Sequence, residues 1–282
     1  MMRLEYVNSK GETLDLTSFP YSLQDEPLYD FSWSSDLTSS GTKKSIVNRF
    51  LRASKELQMD LVIHADTQEQ FKTCLDHFFR ITEYDVINRS PGKLVLKDSG
   101  EYINCYVVSS ENNMWQSGIR TNVKKISFLF TYPFWITEEK KSFYKTEREE
   151  GSEVFLDYNY PYPYDYLPET GGIIRWNIDH YADSEFLMTI FGYVENPQVA
   201  VNDYAYQIMT TLESIEYLQI DSRSNTVQKF LANGVVQNVF DLRNKERSIF
   251  QPIPSGDLMV TWNGSFGFDI TLFLERSEPV WL

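Results

Sequence analysis

The sequence predicts a mostly β protein of two domains, and three observations lead to that fold class. The chain has 282 residues, more than most single domains, so two domains of roughly 140 residues each are expected. Aromatic residues make up 15% of it, with 18 Tyr and 19 Phe, and such side chains favour pleated, half-buried strands. Near the C-terminus, apolar and polar residues alternate around Asn-Gly pairs, which is typical of antiparallel sheets with one buried face.

The charge distribution predicts where the two domains meet. Residues 1–141 carry 17 basic and 19 acidic side chains, a net charge of −2. Residues 142–282 carry 9 basic and 21 acidic side chains, a net charge of −12. Between Glu138 and Glu153 the sequence has mixed charge and few apolar residues, which indicates a linker or a solvated edge strand. We therefore predict one domain over residues 1–141 and a second over residues 142–282.

The first half is predicted to consist of strands around one helix. Leu4–Asn8 and Thr13–Leu16 flank a short polar loop, as in a hairpin. Tyr29–Trp33 alternates and predicts another strand, and Ile46–Ser54 and Leu57–Ala65 are predicted to pair with each other. Three further strands are predicted at Lys93–Lys97, Tyr102–Ser109 and Lys124–Tyr132.

The one predicted helix covers about residues 67–81. Thr67 and Gln70 have the spacing of a capping box, in which each side chain satisfies an unpaired backbone donor. An apolar stripe with helical spacing follows, formed by Phe71, Cys74, Leu75, Phe78 and Phe79. This stripe is typical of a helix face that packs into a core.

The second half is predicted to be an antiparallel sandwich of short strands. Asn233-Gly234 indicates a hairpin with a type I′ turn, since both residues tolerate positive φ. Around Asn263-Gly264, apolar residues alternate into and out of a second turn, which predicts a final hairpin, and Trp262 and Trp176 are expected in the core. Earlier strands are predicted at Phe186–Val194, Leu212–Ile220, Thr226–Leu231 and Val235–Phe240.

Several classes of function find no support in the sequence. There is no phosphate-binding glycine loop, no G-x-G-x-x-G, no H-E-x-x-H and no G-x-S-x-G. His64, His77 and His180 are scattered, and Cys74 and Cys105 cannot complete a zinc site, so we expect no metal ligand, cofactor or catalytic residue. We predict that the chain is not an enzyme. A pair of carboxylates acting as in a glycosidase is the weakest alternative.

Charge and hydropathy bear on the surroundings in which the chain acts. A net charge of −14 disfavours nucleic-acid binding, which depends on Lys and Arg at phosphates. No stretch is apolar and long enough to suggest a membrane span, and the N-terminus lacks the apolar core of a signal peptide. We expect synthesis in the cytoplasm, with both cysteines as reduced thiols.

A tyrosine- and proline-rich segment is the candidate partner contact. It contains Tyr158, Tyr160, Tyr162, Tyr164 and Tyr166, separated by Asn159, Pro161, Pro163 and Asp165. Exposed tyrosines can anchor a protein partner or stack on sugar rings. The alternative is that the segment forms a loop covering its own domain.

Three short segments resemble the distal tail proteins of siphophages. These are the opening Leu4–Glu12, the segment Tyr132-Pro133-Phe134-Trp135, and Ile253–Asp257 before the final strands. The resemblance runs over the whole chain in element order. It implies an N-terminal β-barrel-like domain with one helix and a C-terminal galectin-like β-sandwich.

The resemblance also implies a function. In that family the first domain forms a hexameric ring on the tail tube, and the second lies on its outer side. The chain would then be a structural hub of a phage or prophage tail tip, made in the host bacterial cytoplasm. Its partners would be itself, the tail-tube protein, the tip fibre or lysin, and receptor-binding proteins. The alternative is a glycan-binding or adhesin-like module acting through the C-terminal sandwich.

Overall fold

The computed structural model describes residues 3–24, 26–39, 41, 45–112, 120–145 and 172–280. Strands dominate these residues and one long helix accompanies them, which confirms the predicted mostly β fold class. The chain divides into two compact units: unit 1 is Met1–Thr137 with Glu275–Leu282, and unit 2 is Glu138–Leu274. That residues 1–141 and 142–282 fold as independent domains stays a prediction.

Unit 1 consists of short strands, one α-helix and a 3₁₀ turn. In chain order it contains β1 (Leu4–Val7), β2 (Thr13–Asp15), β3 (Tyr21–Leu23), the 3₁₀ turn (Glu26–Tyr29), β4 (Ser34–Ser39), β5 (Ser45–Leu51), β6 (Lys55–His64), α1 (Gln68–Asn88), β7 (Gly92–Leu96), β8 (Tyr102–Asn112), β9 (Thr121–Phe130) and the start of β10 (Trp135–Phe143).

Seven of these strands follow one antiparallel path, β2-β1-β7-β8-β9-β6-β3. The first part of β8 pairs with β7, and its remainder, from Tyr106 onwards, pairs with β9. The backbone N–H of Leu23 in β3 donates to the carbonyl of Leu16, just after β2, at 2.8 Å. This bond joins the two ends of the path, so the sheet approaches the closure of a small barrel.

The helix α1 begins where the sequence predicts. Thr67 is the N-cap, and its hydroxyl accepts the backbone N–H of Gln70 at 3.1 Å. In a standard capping box the side chain of Gln70 would accept the backbone N–H of Thr67. Here it accepts the backbone N–H of the preceding residue, Asp66. Phe71 and Phe78 are buried in the core of unit 1, as predicted for the apolar stripe.

The predicted end of the helix, near residue 81, is wrong. The helix continues to Asn88 and ends at Arg89, which has a left-handed φ of 53°. Its buried face continues through Ile81, Thr82 and Asp85, and the last two are polar, so hydrophobic periodicity does not detect them.

A buried carboxylate fastens the end of α1 to the first hairpin. Asp85 is fully buried and accepts hydrogen bonds from the hydroxyl of Tyr6 and from the backbone N–H and hydroxyl of Ser9. Burial, with Cys105 and the Asp85 carboxylate as further causes, raises the pKa of Tyr6, so its hydroxyl remains a donor. The bonds replace the water that Asp85 loses on burial.

Two of the strand predictions for the first half are wrong. Tyr29–Trp33 is not a strand, because a 3₁₀ turn containing Pro27 ends at Tyr29 and the strand β4 starts only at Ser34. The segments predicted at Ile46–Ser54 and Leu57–Ala65 both contain strands, but these do not pair with each other. Instead β5 pairs with β4, and β6 pairs with β3 and β9.

Unit 2 consists of strands and short turns. It contains the rest of β10, then β11 (Gly172–Ile178), β12 (Glu185–Phe191), β13 (Val194–Glu195), β14 (Gln198–Val201), β15 (Tyr204–Gln207), β16 (Thr211–Leu212), β17 (Tyr217–Asp221), β18 (Thr226–Phe230), β19 (Val236–Asn238), a 3₁₀ turn (Phe240–Leu242), β20 (Gly256–Trp262) and most of β21 (Gly267–Arg276).

Two antiparallel sheets of unit 2 share one core. The first has the order β19-β18-β17-β12-β21-β10, and the second has the order β11-β20-β14-β15. Phe143 of the first sheet lies 6.0 Å from Trp176 and 5.8 Å from Trp262 of the second, measured between ring centroids. The predicted sandwich and the core placement of both tryptophans are confirmed. A specifically galectin-like sandwich stays a prediction.

Two turn predictions for the second half are corrected. The turn at Asn233-Gly234 is not type I′, since Gly234 has a φ of 81° but Asn233 is not among the positive-φ residues. The N–H of Gly234 bonds to the carbonyl of Leu231, as in a three-residue loop closed by a left-handed glycine. Around Asn263-Gly264 the two alternating strands exist, but β20 and β21 lie in different sheets and do not form a hairpin.

Candidate assembly surface

Within the described ranges, the structure brings together no chemistry typical of an enzyme. No group of three or more His, Cys, Asp and Glu side chains in these ranges could hold a metal ion. His64 contacts Thr121 in unit 1, His77 contacts Arg80 on α1, and His180 lies against Tyr181 in unit 2. No helix in the described ranges has the length and apolar character needed to span a membrane. The candidate sites that remain are surfaces.

The predicted partner-contact tyrosines cannot be placed on any surface. Tyr158, Tyr160, Tyr162, Tyr164 and Tyr166 lie outside the described residues. Their role stays a prediction.

The most unusual surface of unit 1 is the two-stranded ribbon formed by β4 and β5, here called the arm. Every residue of both strands is exposed, although the ribbon carries Leu37, Ile46, Val47, Phe50 and Leu51. Phe50 has 61% of its surface exposed. A ribbon of two strands is marginally stable in water, and contiguous exposed apolar residues are typical of interaction sites.

The strand register shows which apolar residues of the arm share a face. Leu37 pairs with Val47, and Ser35 pairs with Phe50, so Leu37, Val47 and Phe50 share one face. The register shifts between Asp36 and Leu37. On the other face, Asp36 and Arg49 form an exposed ion pair at 3.4 Å. One face of the arm is therefore an apolar stripe and the other is of mixed character.

The base of the arm is fixed to unit 1 by one arginine held among aromatic rings. The guanidinium of Arg52 lies 4.7 Å from the ring centroid of Phe134, 5.7 Å from Phe31 and 6.0 Å from Trp33. The rings of Trp33 and Phe134 meet edge to face at 5.8 Å. Cation–π contacts of this kind help to orient a guanidinium. The arm therefore starts from an ordered base.

The C-terminal segment strengthens this base. Arg52 donates to the carbonyl of Ser277 at 3.3 Å, and the Tyr132 hydroxyl donates to Glu275. The backbone N–H of Val280 donates to the buried carboxylate of Glu101 at 3.0 Å. Residues 275–280 are thus bound to the same part of unit 1 from which the arm extends.

Lys55 secures the chain that leads into the arm. Its ammonium donates to the carbonyl of Asp30 at 2.7 Å and to that of Pro27 at 3.5 Å. Burial lowers the pKa of Lys55, although the charge of Asp30 opposes that effect. An amine held against backbone carbonyls fixes the 3₁₀ turn before β4.

A second apolar surface of unit 1 lies on the last turns of α1. Tyr84, Val86 and Ile87 are exposed there, and Ile87 has 76% of its surface exposed. Asp85, between them in sequence, is buried and fastened to Tyr6 and Ser9. This surface is therefore held rigidly on the body of unit 1.

On unit 2, an aromatic row crosses the outer face of the first sheet. Tyr217, Phe230 and Val236 are cross-strand partners on β17, β18 and β19. The rings of Tyr217 and Phe230 are stacked, with centroids 4.4 Å apart and planes 7° apart. Tyr217 and Val236 are exposed, so the row is a candidate contact surface of the sandwich.

Sequence reasoning found some residues of these surfaces but not their roles. The alternation of Tyr29, Phe31 and Trp33 indicates a strand, whereas two of these rings surround Arg52 and the third stacks on Trp135. The signal available was aromatic density, since six aromatic residues occur in two short segments, Tyr29–Trp33 and Tyr132–Trp135. Arg52 itself carries no sequence signal.

Comparison with known proteins identifies the fold. No protein-family model matches the chain, and no curated protein sequence matches it. Among solved structures, the Dit protein of SPP1, a hub of the adsorption apparatus of phages that infect Gram-positive bacteria, matches this chain with a TM-score of 0.60 at 9% identity. The match covers 97% of this chain and 99% of that one.

The phage P2 baseplate provides two further matches. Its structures in the activated conformation, one with calcium and one with strontium, each match with a TM-score of 0.64 at 13% identity, covering 99% of this chain and 100% of that one. At these identities the likeness shows the fold. The resemblance to distal tail proteins is thereby confirmed at the level of the fold, over both units.

Proposed function

We propose that this chain is a structural hub of a phage or prophage tail tip, in which six copies form a ring. The observation that carries the proposal is the match to a phage hub protein and to a baseplate over nearly the whole of both chains. A shared fold does not by itself fix a function. The surfaces of unit 1 supply the further support.

The arm is the first of these surfaces. Its apolar residues find no burial within their own ribbon, and exposure of such a stripe lowers solubility unless another surface covers it. The near-neutral charge of residues 1–141 lets identical copies approach without strong repulsion. The occupant that we propose for the stripe of Leu37, Val47 and Phe50 is a neighbouring copy of this chain.

A closed ring needs two different surfaces on each subunit, because the contact between neighbours is head to tail. The arm supplies one of them. The apolar end of α1, with Tyr84, Val86 and Ile87, is the surface that we propose to receive it. The charge of −12 on residues 142–282 favours an outer position for unit 2, where identical acidic surfaces stay apart.

The partners and location follow from the same proposal. A tail-tube protein would bind one side of the ring, and a tip fibre or lysin the other, with receptor-binding proteins at the periphery. The protein would be made in the host bacterial cytoplasm and act at the virion tail tip. As a structural hub it would have no enzymatic activity.

Light scattering on the full chain tests ring formation. Wild type should change from monomer to hexamer as its concentration rises, and a Leu37→Ser/Phe50→Ser variant should remain monomeric. Met259→Ser is the matched control, because Met259 is an exposed apolar residue of unit 2; it should assemble like wild type. Wild type that stays monomeric at high concentration, alone and with a tail-tube protein, would overturn the proposal.

The second candidate function is a glycan-binding or adhesin-like module acting through the sandwich. The exposed aromatic row of Tyr217 and Phe230 favours it, because aromatic rings can stack on sugars. We expect no tight binding of simple sugars, because Trp176 and Trp262, the two tryptophans of unit 2 among the described residues, are buried in its core. A glycan array with wild type and Tyr217→Ala would detect such binding and show whether this row carries it.

A further inference from the structure

A cavity of about 520 Å³ lies on unit 2 and contains no residue of the aromatic row. It is formed by the loop between β19 and β20 together with Asn225, and its lining residues are Asn225, Phe240, Arg243, Lys245, Glu246, Arg247, Ser248 and Phe250. This volume is in the range of pockets that hold small organic ligands. The cavity is therefore larger than a bare inorganic ion requires.

The charge of this cavity is the reverse of that of its surroundings. Residues 142–282 carry a net charge of −12, yet three of their nine basic residues, Arg243, Lys245 and Arg247, fall within one short stretch and line the cavity. Among the lining residues the one acidic side chain is Glu246. A local excess of positive charge in an acidic half raises the concentration of anions at that point.

The arginines are held in place before any ligand binds. The guanidinium of Arg243 lies 3.8 Å from the ring centroid of Phe240 and donates to the carbonyl of the same residue at 2.8 Å. Its side chain is 26% exposed, and it forms a long ion pair of 4.0 Å with the almost fully exposed Asp241. The ring and carbonyl of Phe240 therefore orient Arg243, and a long ion pair to an exposed carboxylate competes weakly with a bound anion.

The remaining lining groups supply a hydroxyl-binding edge. The rings of Phe240 and Phe250 are stacked, with centroids 5.9 Å apart, and both pack against the core of unit 2. Tyr204 strengthens the same loop, since its hydroxyl donates to the carbonyl of Ser248 at 2.7 Å and its ring lies 5.5 Å from the guanidinium of Arg247. Asn225, Glu246 and Ser248 add an amide, a carboxylate and a hydroxyl to the lining.

We propose that this cavity binds a phosphate group carried on a polyol or sugar. Arginine forks match the geometry of phosphate oxygens, and lysine adds a third positive charge. Glu246, Asn225 and Ser248 can accept or donate hydrogen bonds to the hydroxyls of the polyol. An acidic peptide fits less well, because a chain of carboxylates carries no hydroxyl to bond with Glu246, Asn225 and Ser248.

The test is equilibrium binding of a fluorescently labelled glycerol-phosphate oligomer to the full-length protein. A neutral polyglycerol of the same length and a poly-glutamate peptide of the same charge are the comparison probes. Lys245→Gln/Arg247→Gln changes two exposed residues of the cavity, and Arg175→Gln is the matched control, an exposed arginine of β11 elsewhere on unit 2. Circular dichroism of each variant verifies that the fold is retained.

The expected result is saturable binding of the phosphate oligomer that weakens with salt, with no binding of the neutral polymer. The double variant should bind at least about tenfold more weakly, and Arg175→Gln should bind like wild type. Equal affinity of the double variant, absence of saturable binding, or tighter binding of poly-glutamate would overturn the proposal. The proposal goes beyond the hub function and does not rest on it. A chain that stays monomeric and still binds the phosphate oligomer would refute the ring but support this binding site.

Discussion

The strand β5 of the arm in unit 1 and the strands β20 and β21 of unit 2 are all rich in apolar residues but have opposite surroundings. In the arm every residue is exposed, including Phe50. In β20 and β21 the strands separate into two sheets, and Leu258, Val260, Phe268 and Ile270 are buried.

This difference shows what apolar residues do in each region. In unit 2 they form the core of one chain, because the second sheet covers the first. In the arm no part of the described chain buries the stripe of Leu37, Val47 and Phe50, so the same kind of residue does not stabilise the monomer. Stability and assembly should therefore depend on different regions, and variants can separate the two properties.

The largest effect on stability is expected in the sandwich core. Phe268 is fully buried and stacks on Phe143 at 4.5 Å, so Phe268→Ala should lower the free energy of unfolding by about 3–5 kcal/mol. Phe50→Ala, on the arm, should change it by less than about 0.5 kcal/mol under conditions where the protein is monomeric. Urea denaturation measures both values, and similar losses would contradict the distinction between core and arm.

A smaller effect is expected at the buried carboxylate of unit 1. Asp85→Asn replaces an acceptor oxygen with an amide donor facing the Tyr6 hydroxyl or Ser9, which leaves a buried donor without its acceptor. The expected loss is about 1–3 kcal/mol. Asp76→Asn is the control, since Asp76 is an exposed carboxylate of the same helix. Equal melting temperatures for the two variants would show that the buried contacts of Asp85 do not stabilise the fold.

A loss of about 1 kcal/mol is expected for Gly234→Val. Gly234 has a φ of 81°, and an added Cβ would meet no atom within 4 Å, so the cost comes from the backbone conformation alone. Gly234→Asn should lose less, because Asn tolerates positive φ. An unchanged melting temperature for the valine variant would refute the left-handed turn.

The smallest effect is expected at the ion pair between Asp15 and Lys97, whose charged atoms are 2.9 Å apart. Burial would raise the pKa of Asp15, but hydrogen bonds from Lys97, Thr17 and Ser18 together lower it. Its contribution should therefore be complete above the unfolded-state pKa of about 4 and be lost progressively as the pH falls from there through the lower folded-state pKa. Asp15→Asn should cost under about 1 kcal/mol at pH 7 and less than that near pH 2, as measured by urea denaturation.

Period-two alternation predicted most strands correctly, because burial of one sheet face imposes that pattern on any strand. It could not predict which strands pair. The strands β5 and β6 are neighbours in sequence, yet β6 pairs with β9 from far along the chain. The end of α1 was missed because its last buried positions, Thr82 and Asp85, are polar and depend on the distant residues Tyr6 and Ser9 for their environment.

The candidate surfaces were less predictable than the fold. Nothing in the sequence of the arm distinguishes its apolar residues from those of a core strand, because exposure is decided by whether another sheet covers them. The basic cavity was also missed, although Arg243, Lys245 and Arg247 lie within one stretch of an acidic half. Local charge reversal was the available signal, and the overall charge of −14 obscured it.

The central claim, that the arm is covered by a neighbouring copy in a ring, is tested most directly by electron microscopy of the purified full-length protein. The account predicts ring-shaped particles with six-fold symmetry for wild type at high protein concentration. It predicts single subunits, still folded, for the Leu37→Ser/Phe50→Ser variant. Rings that form equally well from that variant would contradict the role of the arm, and wild-type particles without rotational symmetry would contradict the hub.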